Sequence, residues 1–446
     1  MRAREIVLAL FIILAGISLT AVKSGRLHLG EGDFFGWSGQ EFRYEESRDI
    51  PGPVPARIEV ANARGFVTIE AAETDTVKVV FSKHLWRKNE AEAKAAAAGL
   101  RLTVTQSEDR LILSAGAADG SAKRFETGLK LIIPSSTSVL VKNAYGPVRA
   151  AGLAGAELIN SHGSVSAARI AGTLVVRTSY EPVDVDGIGG DCRIEASHGE
   201  VNVRSVSGDL LVENSYEKIR VEDAAKALTV SGNHSDVLVK NVGGRAEIGS
   251  SYEPIKVVGA ADIRVRGLQC DIELEDIRGA ADVADDHGSL RVKNIAGGLK
   301  VEGRDLGVWA AEIGGPEIRI STSYQDVDLL DFSGPVVIVL NHGDLRLRPK
   351  DLSGTVDVQG SYAAVDIEWP AGLRAPLSAR TVSGEIDWRL TEKPASQSAN
   401  GSSEVTAFPE AAGRPGLTIV TSYGDVTVRP AGSRSDENTG ADADGE

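Results

Sequence analysis

A small residue followed by tyrosine returns at Tyr145, Tyr180, Tyr216, Tyr252, Tyr324, Tyr362 and Tyr423, so seven of the chain's eight tyrosines share one phrase. Between them a second phrase carries His162, His198, His234 and His342. Neighbouring phrases thus stand about 18 residues apart and like phrases about 36, a period short enough to mark a repeat architecture. Where the residue type changes the phase continues: Cys270, Asp305 and Ser383 read as occupants of histidine places, and His287 as occupant of a tyrosine place. A unit this short cannot enclose a core of its own, so the chain must bury its apolar surface by stacking one unit on the next. The 446 residues therefore read as one long array rather than as the roughly three domains that length alone suggests.

Inside each such unit lie two short alternations, as in PVDVDGI and DCRIEAS or EVNVRSV and DLLVENS, separated by Gly-Gly, Ser-Gly or His-Gly. Alternation with period two marks a strand with one buried face, and the glycine pairs mark bends. The predicted fold is all-β, a parallel β-helix or β-solenoid with a 36-residue sequence repeat made of two 18-residue halves. Val183, Val185, Val201, Val203, Val237, Val239, Ile255 and Val257 should point inward, and Asp184, Asp186, Asn202 and Lys256 outward. The 49 glycines, single methionine and 5% aromatics agree with a turn-rich chain whose core is Val, Ile, Leu and Ala.

Two coil lengths fit this pattern. One coil per half-repeat alternates tyrosine and histidine in a single column; one coil per whole repeat, with four strands, gives each its own column. Identical side chains about 4.8 Å apart pack repeatedly in one way, which favours the four-strand coil. On that reading His162, His198 and His234 lie close enough for two to share a transition metal, and they would repel one another when protonated, loosening the edge in acid. Each is followed by Gly or Ser at a bend, however, where a ring that caps the corner suffices, and no metal is expected.

The ends are irregular. Arg2 and Arg4 precede an apolar run at 6–22, so residues 1–24 read as a signal peptide or an N-terminal membrane anchor. Residues 25–55 read as a linker, with FFGW at 34–37, and 56–142 as an N-terminal β cap region with one short helix, for which Asn89 is the N-cap and Gly99 the stop. The repeats run over 143–430 with a loop insertion at 391–415, and 431–446 read as a disordered acidic tail. Cys192 and Cys270 fall at different points of the repeat and read as two small apolar residues rather than a bridge.

The strand pair VANARGFVTIE at 60–70, an export segment before it and tandem S-x-G-x-V-x-V phrases after it resemble the bacterial envelope proteins termed putative adhesins, a family of unknown function. The resemblance covers most of 58–430. It implies a right-handed β-solenoid outside the cytoplasm and supplies no catalytic residue.

Chemistry-bearing motifs are absent: there is no G-x-S-x-G, H-E-x-x-H, G-x-x-x-x-G-K-[ST] or paired C-x-x-C. No catalytic residue, metal or cofactor is expected. The net charge of −15 offers no basic field to a phosphate backbone, so nucleic acid is not an expected partner. The tyrosine and histidine places are either structural corner ladders or ligand-facing strips, the tyrosines forming a flat aromatic surface for sugar rings. Glu181, Glu217 and Glu253 follow tyrosine at the same point of each repeat, which suits a surface pattern better than an active site.

The expected function is that of a non-enzymatic, exported adhesive, structural or binding element of the cell envelope. Its expected partners are a polysaccharide, an envelope protein or a second copy of itself, with the membrane reached through the N-terminal segment if that is retained. The alternative is a carbohydrate-active enzyme, of polysaccharide lyase or hydrolase type, on the same scaffold. It would use the one local break in the repeat, at 281–287 with Arg304, Asp305 and Trp309, where Asp285 and Asp286 supply carboxylates.

Overall fold

Val183 lies between Val165 on one neighbouring strand and Val201 on the other, both parallel to it. Cys192, on the opposite wall, lies between Leu174 and Leu210. Each of these steps is one half-repeat, so the coil has two strands and the four-strand coil is not what the chain builds. Strand Val183–Ile188, a bend at Gly189 and Gly190, strand Cys192–Glu195 and a second corner already close a full turn. The preference for like on like fails because tyrosine and histidine are both flat rings and stack on each other as readily as on themselves.

The computed structural model describes residues 39–117, 124–399, 401–411 and 413–432. The export segment at 1–24, the FFGW at 34–37 and the acidic tail from 433 onward lie outside them. Within the described residues 37 strands join through one hydrogen-bonded network, with a single α-helix. The eight aliphatic residues expected to point inward are each no more than 3% exposed, and they belong to one continuous cluster running through the array. Asp184 and Asp186 are exposed, and Asn202 and Lys256 lie half-buried on the outer wall.

One corner of the coil forces a left-handed backbone on Gly187, Ser205, Asp223, Asn241 and Gly259, with φ between 57° and 78°. Glycine accepts that conformation freely, and Asn and Asp tolerate it because their short side chains find local partners. Here the partner is the next coil: Asn241 Nδ2 donates to Asp223 Oδ1 at 3.0 Å and Asn294 Nδ2 to Asp276 Oδ1 at 2.6 Å.

Both ends depart from chain order. Strand Arg57–Arg64 is wedged between Arg110–Ala117 and Ser138–Tyr145, and Val67–Ala72 between Phe125–Pro134 and Val148–Ala151. The outermost coil is then closed by antiparallel strands. Leu100–Gln106 covers Arg110–Ala117, Val77–Arg87 covers Phe125–Pro134, and Gln40–Ile50 covers Val77–Arg87. Residues 40–50, expected as linker, are thus an edge strand; its charged sequence hides the alternation and guards the open edge. The helix is Glu90–Gly99, and Asn89 caps it by accepting the Glu92 N–H at 2.9 Å, with Ala93 and Ala97 buried beneath.

At the other end Leu417–Ser422 slides between Val356–Ser361 and Leu377–Val382, so the last repeat in sequence is not the last layer. The insertion at 391–415 carries a hairpin, Ala395–Ala399 with Ser402–Ala407, laid antiparallel on Leu377–Val382. Antiparallel strands therefore close both ends, which is how an open parallel edge is kept from pairing with another chain. Cys192 and Cys270 are free and buried.

Candidate functional site

Because one half-repeat closes the coil, tyrosine and histidine come together in one column. Rings of Tyr145, His162, Tyr180, His198, Tyr216, His234 and Tyr252 stack in that order, with centroids 4.7–5.5 Å apart and planes within 24° of parallel. A second run follows, Tyr324, His342, Tyr362 and Tyr423, at 4.7–5.0 Å. The Arg64 guanidinium lies over Tyr145, 5.6 Å from its centroid, at the head of the column. The out-of-order last repeat places Tyr423 directly after Tyr362, with Ser383 in the layer beyond.

The stack decides what the column can offer. Each inner ring spends both faces on its neighbours, so a flat surface for sugar rings does not exist along it. What faces solvent is the ring edge, carrying phenol hydroxyls and imidazole nitrogens, with the tyrosines 37–58% exposed. A tyrosine also stands between successive histidines, 4.7 Å from His162 and 5.4 Å from His198 in the case of Tyr180, so two imidazoles cannot share one metal ion. The like-charge stack that would loosen in acid is absent for the same reason. Among the described residues no group of three or more His, Cys, Asp or Glu is placed to hold a metal.

Behind many of the rings, two residues earlier, a polar side chain points into the coil, and this row was missed in the sequence. Asn143, Asn160, Thr178, Asn214, Ser250, Thr322, Thr381 and Thr421 belong to it, all buried, and Ala196, Gly232, Leu340 and Gly360 interrupt it. Asn143 Nδ2 donates to Gly146 O at 2.9 Å and Asn160 Nδ2 to Gly163 O at 2.7 Å. The amides also link to one another: Asn62 donates to Asn143 and Asn143 to Asn160, each at 3.2 Å. The signal was present as a small polar residue two places before the ring. It holds the corner backbone in place and so holds the rings in line.

The column breaks once, through three layers occupied by Gln269, His287 and Asp305. The residue in the first of these is Gln269, with φ 58°, and not the expected Cys270, which is turned into the core at 1% exposure. Gln269 follows Tyr252 one place early in the chain, which shifts the phase by one. His287 Nε2 lies 3.1 Å from Asp305 Oδ2. Beside the break is a shallow hollow lined by Arg266, Asp285, Asp286, Glu302, Arg304 and Ser323. Trp309 is elsewhere, on the outer wall under the Arg291 guanidinium at 4.1 Å, beside Glu273, Lys293 and Arg348. The irregular residues at 281–309 thus form two surfaces rather than one site. Asp285 is only 3% exposed and turned inward, and Asp286 Oδ1 accepts the Arg304 N–H at 3.0 Å.

Among the described residues no helix is long and apolar enough to cross a membrane. A family model described as Toastrack DUF4097 matches residues 56–258 and again 200–429, two overlapping passes along the array. Among solved structures, a putative cell adhesion protein from Clostridium sporogenes aligns over 87% of this chain and 100% of its own at 8% identity, with a TM-score of 0.17, too loose a superposition to transfer anything. No curated protein matches the chain.

Proposed function

The chain belongs to the Toastrack DUF4097 family, whose model spans its array from residue 56 to 429, and from that premise we propose that it is a non-enzymatic, exported β-solenoid of the cell envelope whose ring column binds an extended polysaccharide. The observation that carries this reading is the column itself: one edge presents a polar aromatic ring from every coil, tyrosine and histidine in turn, over seven stacked rings. Tyrosine hydroxyls recur every second coil, about 10 Å apart at the usual strand spacing. Glu181, Glu217 and Glu253 recur at the same interval, and none forms an ion pair among the described residues, which favours neutral or amino-bearing glycans over anionic ones. A polymer laid along such an edge repeats a weak contact many times, and linkage converts those contacts into useful affinity.

Export is supported by Arg2, Arg4 and the apolar run at 6–22 in the sequence. The non-enzymatic reading is supported by the burial of Asp285, which removes from the surface one of the two carboxylates an enzyme at the break would use. The test uses the purified full chain against insoluble polysaccharides and a glycan array, beside a variant with Tyr180→Asn, Tyr216→Asn and Tyr252→Asn. Asparagine tolerates the corner backbone and removes three rings. We expect retention of the parent on at least one glycan class and a tenfold or greater loss in the variant. Equal retention of both would remove the column from the function, and release of new sugar ends by the parent would overturn the non-enzymatic reading. Fractionation of the native host is expected to place the chain in the envelope; recovery in the cytoplasm would overturn export.

A further inference from the structure

Where the inward row behind the rings carries Asn214, Ser250, Thr322 or Thr381, it performs one chemical task, whereas Ala196, Gly232, Leu340 and Gly360 leave that task undone in their coils. The carbonyl just past the ring place bends inward, and the polar residue of an adjoining coil donates to it. Asn214 Nδ2 donates to Gly199 O at 3.0 Å, Ser250 Oγ to Ser235 O at 2.9 Å, Thr322 Oγ1 to Leu306 O at 2.8 Å and Thr381 Oγ1 to Gly424 O at 2.7 Å. Asn, Ser and Thr all have a proton to give. In coil 281–295 the same place holds Asp285, 3% exposed, and an ionised carboxylate has none. By the rule of the other coils its acceptor is the Cys270 carbonyl.

The surroundings make the mismatch worse. Asp285 Oδ1 has no hydrogen-bond partner, and Oδ2 receives only the Cys270 N–H at 3.4 Å. Side chains are missing from the row on either side, at Gly267 and Gly303, and a Cβ at Gly267 or Gly288 would overlap the carboxyl oxygens. Three successive coils therefore lack the donor, as do the coils of Ala196, Gly232, Leu340 and Gly360, and these three are the ones in which the ring stack is interrupted, at Gln269, His287 and Asp305.

We propose that Asp285 is a proton-operated latch at the joint between the two ring stacks: protonated, it donates to the Cys270 carbonyl and closes the corner as Asn214 and Thr322 close theirs; ionised, it leaves the corner open and the joint loose. Burial pushes this carboxyl from 3.8 up to about 6, with the charges of Asp286 and Asp271 adding to the rise and the Cys270 N–H and His287 opposing it. A carboxyl raised in the folded state binds its proton more tightly there than in the unfolded chain, so the corner is firmest below about pH 4 and weakens as pH rises through about 6. The other charges near it are largely committed. Arg266 pairs with Asp282 at 3.1 Å and His287 with Asp305 at 3.1 Å, while Glu302 and Arg304 line the hollow outside.

The test is hydrogen exchange of the full chain, read as protection factors corrected for the intrinsic pH dependence, for the amides of Cys270 and Ser289, which face this corner. In the parent we expect protection roughly tenfold or more higher at pH 5 than at pH 7.5. Asp285→Asn, which carries a permanent donor, should be protected at both pH values. Asp285→Gly, which matches the rows on either side, should be weakly protected at both. His287→Gln should keep the parent's pH dependence, since the ring outside the corner is not the latch. Protection independent of pH in the parent, or a pH dependence that survives Asp285→Asn or vanishes in His287→Gln, would overturn the proposal.

Discussion

Tyr180 and Tyr216 occupy the same place in the column, two coils apart with His198 between them, yet the structure predicts unequal costs for replacing them with glycine. Tyr180 stacks on His162 at 4.7 Å and His198 at 5.4 Å; Tyr216 stacks on His198 at 5.1 Å and His234 at 5.5 Å. Each replacement loses two stacked faces, and because the rings are half exposed the loss is about 1–2 kcal/mol in total. The backbones differ. Tyr216 has φ 75°, in the region that costs an L-residue about 1–2 kcal/mol, whereas Tyr180 does not. Glycine recovers that cost at 216 and offsets the lost stacking, so Tyr216→Gly should be nearly neutral. At 180 glycine adds about 0.5–1 kcal/mol of backbone entropy to the loss, about 1.5–3 kcal/mol in all. An array unfolds in pieces, so opening free energies should be read locally, by hydrogen exchange of the corner amides: His198 N–H, which donates to Ser179 O, and Tyr216 N–H, which donates to Asn233 O, both at 2.8 Å. Equal losses at the two positions would refute the reasoning, as would Tyr216→Gly destabilising as much as Tyr216→Ala.

Other expectations follow from single contacts. Arg429 is 3% exposed and holds the equally buried Glu368 at 2.8 Å and Asp366 at 2.7 Å, so Arg429→Ala should cost about 1.5–3 kcal/mol by removing charged hydrogen bonds from a buried Glu368 that keeps Arg346 and Arg348, measured as a lowered thermal midpoint. Arg346→Ala, on the exposed side of the same Glu368, should cost far less. A Cβ at Gly199 would overlap the Glu181 carbonyl one coil away, so Gly199→Val should destabilise by about 2 kcal/mol or more and release the rings on either side, read by denaturant titration. Asn89→Ala should cost about 1 kcal/mol, confined to the helix and the strands beneath it, read by local hydrogen exchange.

Strand type, inward valines and the phase of the ring phrase up to Tyr252 were legible because alternation is a local property of the chain, whereas the one-residue shift that puts Gln269 rather than Cys270 in the column was not. Coil length was not: Tyr180 is as good a neighbour for His162 as another histidine would be, so the alternation of types carries no information about which coil lies next. The row behind the rings was visible as Asn143, Asn160 and Asn214, but its meaning depends on a carbonyl in the preceding coil, as between Asn214 and Gly199, which no local pattern marks. The end layers were hidden for a similar reason. Strand Leu417–Ser422 has the same alternation as any other, and only closure of the stack places it between Val356–Ser361 and Leu377–Val382. At 40–50 the charges that protect an edge also erase the signature of a strand.

The proposed polysaccharide edge needs Tyr and His to alternate in one column and the latch needs Asp285 to face Cys270 one coil back, so both need one half-repeat per coil. Asp184 pairs with Asn202 on the next strand, their side chains 3.2 Å apart, whereas Arg220 is two strands away. A disulfide requires Cα atoms within about 7 Å, and two strand spacings come to about 9.6 Å. Under mild oxidation the pair Asp184→Cys with Asn202→Cys should bridge, seen as a linked peptide by mass spectrometry, and Asp184→Cys with Arg220→Cys should not. Bridging in the second pair and not the first would make the coil a whole repeat long and contradict the account.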